Sequence, residues 1–246
     1  MIPRLAEASR VSSFDPRSYP GPRAAGPAVV HDGRVVQLDL DAWPAGPAVP
    51  VLREPERIRF VVAYGSNAAP GRLHDKRLDV HGAVLLPARL VGYVAAFEAR
   101  RTGYGAVPLT LVPEPGAVID TWVLGLSPAA TGLLDRTEGR VAERTPARVR
   151  PEHGDGCFAP PGTYQLGRVG GVDVAGRWSL EDALAYLPGR DTRVQCHDDG
   201  SWRTWPRFDQ AAAAEHLDRG GASRPAPPVA VPVFGPWPGT PLRPKH

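Results

Sequence analysis

Two short stretches of this chain have residue types and spacing suited to chemistry: the turn Tyr64-Gly65-Ser66-Asn67, and Glu138 in Leu134-Asp135-Arg136-Thr137-Glu138-Gly139. The turn follows Ile58, Phe60, Val61 and Val62, whose aromatic and β-branched side chains favour a buried strand, whereas Gly65, Ser66 and Asn67 favour a tight turn with exposed N–H groups. Such a turn can hold a carboxylate or phosphate, the more so if Pro70-Gly71-Arg72-Leu73 opens a helical turn whose positive end faces the anion. Glu138 stands in the last turn of an expected helix, where the negative end of the helix dipole disfavours a carboxylate. It follows Ala130 and Leu134 at four-residue spacing, which sets it at the edge of the buried stripe, while Asp135 points elsewhere. A carboxylate shielded from water in this way can serve as a general base and then return its proton as an acid. A surface glutamate reaching back to water, and an ordinary tight turn, satisfy the same two patterns.

The elements that must position these residues lie between about 58 and 168. Strands are expected near 58–63, 83–86, 89–98, 107–112 and 118–126, with turns at Gly103-Tyr104-Gly105 and Pro113-Glu114-Pro115-Gly116. A helix follows, with Ser127 as N-cap, Pro128 in the first helical position, Gly139 just past the end, and an inward stripe of Ala130, Leu133, Leu134 and Thr137. Arg144–Arg150 and Gly162–Leu166 read as further strands. The order of loop, sheet and Glu-Gly helix resembles the γ-glutamylcyclotransferase-like family. Tyr64-Gly65-Ser66-Asn67 matches the family's anchoring loop, and Glu138-Gly139 its catalytic pair. Leu90-Val91-Gly92-Tyr93, Gly105-Ala106-Val107-Pro108-Leu109-Thr110 and Trp122-Val123-Leu124-Gly125-Leu126-Ser127 resemble the strands between them.

The resemblance implies an α+β fold, a small mixed β-barrel with flanking helices, carrying N- and C-terminal extensions. It implies that Glu138 is the catalytic acid/base and that Tyr64, Gly65, Ser66 and Asn67 bind the α-carboxylate of a γ-glutamyl group. The implied reaction is release of 5-oxoproline by attack of the substrate's own α-amine, with no cofactor and no metal. Family members often place an aromatic residue shortly after the Glu-Gly pair, whereas this chain reads Arg140-Val141-Ala142-Glu143-Arg144. Arg100, Arg101 and Tyr104 lie on a loop that could meet the leaving portion, but a solvated charge cluster is the simpler expectation for them. A non-catalytic binding or scaffold protein that keeps the fold is the alternative.

The flanks carry no such motif. The 29 prolines and 27 glycines exceed a fifth of the 246 residues, against roughly 12% in average proteins, and concentrate outside the 58–150 region. Residues 1–57 read as an extension with a hairpin around Asp32-Gly33, its first 27 residues an arm without assigned chemistry. Residues 169–246 read as an extension with a helix over 180–187 capped by Ser179, a second over 209–217, and a Pro-rich tail. Basic residues are nearly all arginine, with Lys76 and Lys245 the only lysines. The net charge is +3 and no basic run reaches five residues, so no nucleic-acid partner is expected. The chain shows no signal-peptide pattern near its start and no 18-residue apolar stretch, which suggests a cytoplasmic protein without a membrane partner. Cys157 and Cys196 are expected as free thiols, and His153, Cys157, Cys196 and His197 lack the spacing of a zinc site. Oligomeric state is not encoded in any visible pattern.

Overall fold

The computed structural model describes residues 9–41, 51, 54–140, 163–228, 233, 237–239 and 241–245. The expected strand over Arg144–Arg150, together with His153 and Cys157, lies outside them. The architecture is mixed α+β: a large, mostly antiparallel sheet with few helices. β1 (Ser9–Arg10) and the hairpin of β2 (Ala28–His31) and β3 (Arg34–Gln37) form one edge. Asp32 and Gly33 take φ of 47° and 69°, the two left-handed positions that a two-residue turn between twisted strands demands. β4 (Arg59–Ala63), β5 (Ala83–Phe97) and β6 (Leu109–Leu126) are the centre, with β6 between β4 and β5.

Four expected strands have merged into two long ones. Pro113-Glu114-Pro115-Gly116 does not end a strand. The pairing jumps from Val91–Val118 to Tyr93–Pro113, so residues 114–117 bulge opposite Gly92, and Gly92 and Gly116 take φ of 85° and 81°. The turn chemistry was real, but the ladder on either side continues through it.

The sheet runs on through β7 (Tyr164–Arg168) and β10 (Leu184–Pro188) in the order β1-β3-β2-β5-β6-β4-β10-β7. Among the described residues no pairing closes this order into a ring. β8 (Val172–Val174), β9 (Trp178–Leu180), β12 (Thr204–Trp205) and β14 (Arg243–Pro244) attach along β5 or to one another, while β11 (Arg193–Gln195) and β13 (Ser223–Pro225) pair separately. Both the first 57 residues and the last 78 thus supply strands to the main sheet.

The helix expected over 180–187 is not formed. Leu180 ends β9, Asp182 takes φ of 52°, and Leu184–Pro188 is a strand parallel to β4 and antiparallel to β7. Leu184 and Tyr186 join one apolar cluster and Ala185 and Leu187 the other. A strand buried on both faces is apolar at every position and carries no alternation to distinguish it from a helix.

β4 shows the same two-sided burial. Phe60 and Val62 pack on one face with Val84, Leu86 and Val123, while Val61 and Ala63 pack on the other with Leu85, Leu124 and Leu134. The second face is covered by α1 (Pro70–Asp75) and by α2 (Pro128–Thr137). The start of α2 agrees with the sequence reading: Ser127 Oγ accepts from the Ala130 N–H at 3.4 Å, Pro128 opens the helix, and Gly139 follows at φ 67°. α3 (Gln210–Asp218) is capped by Asp209, whose carboxylate accepts from the Ala212 N–H at 2.8 Å. Among the described residues no helix is long and apolar enough to cross a membrane.

Candidate active site

β4 ends at Ala63, and the chain turns at once: Tyr64 and Gly65 lead into a single 3-10 turn, Ser66–Ala68, and then α1. Because β4 is held between β6 and β10, its end is a fixed point for the loop, whose Ala68 joins the apolar cluster under the helices. The Tyr64 hydroxyl donates to the Tyr186 carbonyl on β10, which pins the loop's first residue to the neighbouring strand. Among the described residues the N–H groups of Gly65 and Ser66 make no hydrogen bond, and both residues border a cavity of about 80 Å³. Two backbone donors without an internal partner thus lie on residues at the cavity's border.

Glu138 is the C-cap of α2, and its side chain reaches the same cavity. The Asn67 amide Nδ2 donates to Glu138 Oε1 at 3.2 Å, so the two matched motifs, 71 residues apart, meet directly. The burial expected for Glu138 is observed, at 8% exposed, but apolar surface is not its only neighbour. Lys76, the residue that ends α1, places Nζ on Glu138 Oε1 and donates to Asn67 Oδ1 at 2.7 Å. The side chains of Lys76 and Glu138 are 3% and 11% exposed, so this is a buried ion pair braced by an amide. Asp135, one turn earlier, does point elsewhere: it accepts from the Tyr186 hydroxyl at 2.6 Å and Trp237 Nε1 at 3.0 Å, and pairs with Arg140 at 2.8 Å.

The N-terminal arm, to which the sequence assigned no chemistry, forms the back of the loop. Arg23 Nη1 donates to the Gly65 carbonyl at 2.9 Å, and burial lowers its pKa to about 10. The Tyr19 hydroxyl accepts from the Leu109 N–H at 2.9 Å, and its phenol is pushed far above the ordinary value by burial. A Cβ on Gly65 would stand 2.9 Å from that hydroxyl oxygen. Gly65→Ala is expected to displace Tyr19 and cost about 1–3 kcal/mol of stability, measured by urea unfolding.

Arg100, Arg101 and Tyr104 divide. Arg101 behaves as the expected solvated charge, gripping Asp218 with Nη2 2.7 Å from each carboxylate oxygen at the exposed surface. Arg100 and Tyr104 instead line the cavity, together with Arg72, whose guanidinium lies 4.4 Å from the Tyr104 ring centroid. Behind Arg100 lies a second buried carboxylate. Glu98 accepts from Arg100 Nε at 2.6 Å and from the Tyr164 hydroxyl at 2.9 Å. Burial raises the Glu98 pKa, and Arg100 and Tyr164 pull it partly back. Because the folded state holds this proton more tightly than the unfolded chain, the associated stability is present below the unfolded glutamate pKa. It is lost as pH rises through the folded one. Glu98→Gln removes that titration, so the stability advantage of the wild type over the variant should shrink from pH 4 to pH 7 in urea melts.

Of the cysteine and histidine candidates, Cys196 and His197 lie among the described residues. Cys196 is a buried free thiol, and among the described residues no group of three or more His, Cys, Asp or Glu side chains is placed to hold a metal. A larger cleft of about 970 Å³ lies beyond Ala63 and Tyr64, walled by Trp122, Trp205 and β8. Its charges are taken up locally, Arg89 by Asp120 at 3.6 Å, Asp173 by Lys245 and Arg23 by the Gly65 carbonyl, and the convergent polar groups sit in the smaller cavity. Comparison with family models, with curated proteins and with solved structures finds no significant match to the chain.

Proposed function

We propose that the protein is a γ-glutamylcyclotransferase-like enzyme, acting in the cytoplasm on a small γ-glutamyl amide, with the bent β4–β6 region as counterpart of the family's small barrel. The observation that carries this reading is the meeting of Asn67 and Glu138 at 3.2 Å beside the two unbonded N–H groups of Gly65 and Ser66. An anion anchor and a shielded carboxylate then face one compact cavity, of a size for a small head group and well below the 300–1,000 Å³ of drug-sized sites.

The chemistry needs little more. The loop holds the α-carboxylate and curls the substrate so that its α-nitrogen faces its own γ-carbonyl carbon. Glu138 accepts a proton from the α-ammonium, and the freed amine attacks. A new C–N bond closes the five-membered lactam, the scissile amide C–N bond breaks as Glu138 returns the proton to the departing amine, and the ring nitrogen sheds its second proton to solvent, from which the released amine takes one up as its ammonium. The protein supplies no nucleophile. Lys76 balances the Glu138 charge, and the substrate's ammonium shares that carboxylate.

The same ion pair favours a second reading. A carboxylate already bonded to Lys76 and Asn67 is also what a structural network needs, and a non-catalytic binding protein would retain it. The two readings separate on a panel of γ-glutamyl amides incubated with purified protein and assayed for 5-oxoproline by mass spectrometry. Release with at least one member is the expected result, and none across the panel from folded protein moves the conclusion to the binding reading.

A further inference from the structure

The cyclotransfer steps use the loop and Glu138 but give no task to Arg100. Its setting is costly to build. Glu98, at the end of β5, is fully buried, and its two carboxylate oxygens are committed to Arg100 Nε and to the Tyr164 hydroxyl. Arg100 Nη2 donates to the same hydroxyl at 3.1 Å, so guanidinium, carboxylate and phenol lock one another in a closed triangle. Burying a carboxylate is unfavourable unless it is paired, and the partner retained here is a cation that borders the cavity.

The other cavity cations are placed differently. Lys76 is 3% exposed and seated on Glu138 and Asn67, and Arg72 is 6% exposed and stacked over Tyr104. The Arg100 side chain is 33% exposed, and among the described residues its Nη1 makes no hydrogen bond. A planar, permanently charged fork, held on one side and open on the other, is suited to a carboxylate.

Resting on the cyclotransferase reading, we propose that Arg100 is a specificity-determining residue that binds a carboxylate carried by the departing amine. The loop N–H groups hold the anion of the γ-glutamyl half, and Arg100 holds an anion of the other half. Amides whose released amine bears a nearby carboxylate are then favoured over amides of neutral amines of the same size. Glu98 and Tyr164 act through Arg100 as positioning residues.

The test compares γ-glutamylglycine with γ-glutamylglycinamide, which differ only in that charge, by kcat/KM for 5-oxoproline release. The wild type is expected to prefer the acid by about 10- to 100-fold, the worth of a charged hydrogen bond, and Arg100→Gln to bring the ratio near one. Should Arg100→Gln fail to fold by circular dichroism, Glu98→Gln/Arg100→Gln, which removes both charges together, takes its place. Equal turnover of the two compounds by the wild type overturns the proposal while leaving cyclotransferase activity standing, and so does a preference that survives loss of Arg100. If neither compound is turned over, the cyclotransferase reading is decided by the wider panel, and calorimetric binding of the same pair decides the role of Arg100. Tighter binding of the acid that is lost with Arg100 supports the anion site, and equal or absent binding overturns it.

Discussion

Glu138→Gln is expected to reduce 5-oxoproline release by about 10²–10⁴-fold, the contribution of a positioned general acid/base. The substitution preserves size and keeps an oxygen that can accept from both Asn67 and Lys76, so the buried ammonium retains a polar partner, whereas Lys76→Met leaves the carboxylate none from that side. What it removes is the proposed ability to take the α-ammonium proton and return it to the leaving amine. The loss should therefore fall mainly on kcat, with KM changing far less, because the loop donors proposed to hold the substrate carboxylate are untouched. A fall in KM affinity with unchanged kcat would instead mark Glu138 as a binding group. Steady-state kinetics on one accepted γ-glutamyl amide separates the two.

Lys76→Met is expected to be the most destabilising single change at the site. It leaves the Glu138 carboxylate, 11% exposed, without its cation, and removing one member of a buried pair typically costs about 3–5 kcal/mol. Replacing both members should cost much less than the sum, because Lys76→Met/Glu138→Gln leaves no buried charge uncompensated. A double-mutant cycle by urea unfolding measures the coupling. Additive losses would show that the contact contributes little and that Lys76 matters through its packing or its bond to Asn67.

What the sequence revealed and what it hid follow from the range of the interactions. The loop and Glu138 were legible because each rests on local signals: an apolar strand ending in Gly-Ser-Asn, and a helix opened by Ser127-Pro128 and closed by Gly139. Lys76 was hidden although it completes the network, because only tertiary structure brings the end of α1 to the end of α2. One clue was present: in a chain whose basic residues are almost all arginine, it is one of two lysines. Tyr19 and Arg23 were missed because a Pro- and Gly-rich arm has no periodicity, and its order comes from contacts with Gly65 and Leu109 far along the chain. β10 was misread for the opposite reason: burial on both faces erased the pattern that identifies a strand.

The merging of the expected strands has a consequence for the site. Because β5 and β6 run unbroken past the bulge at Gly92, Glu98 and Leu109 stand at the far end of the ladder that also pairs with β4 at Ala63. Two turns in their place would have separated the Arg100 end of the cavity from the loop.

The fate of an accepted γ-glutamyl amide in water enriched in oxygen-18 separates intramolecular attack from hydrolysis. Intramolecular attack by the α-amine predicts 5-oxoproline in equal amount to the released amine, with no heavy oxygen incorporated. Free glutamate carrying oxygen-18 in its γ-carboxylate would show attack by water and contradict the account, because the protein would then be a hydrolase in which Glu138 activates water rather than the substrate's own amine.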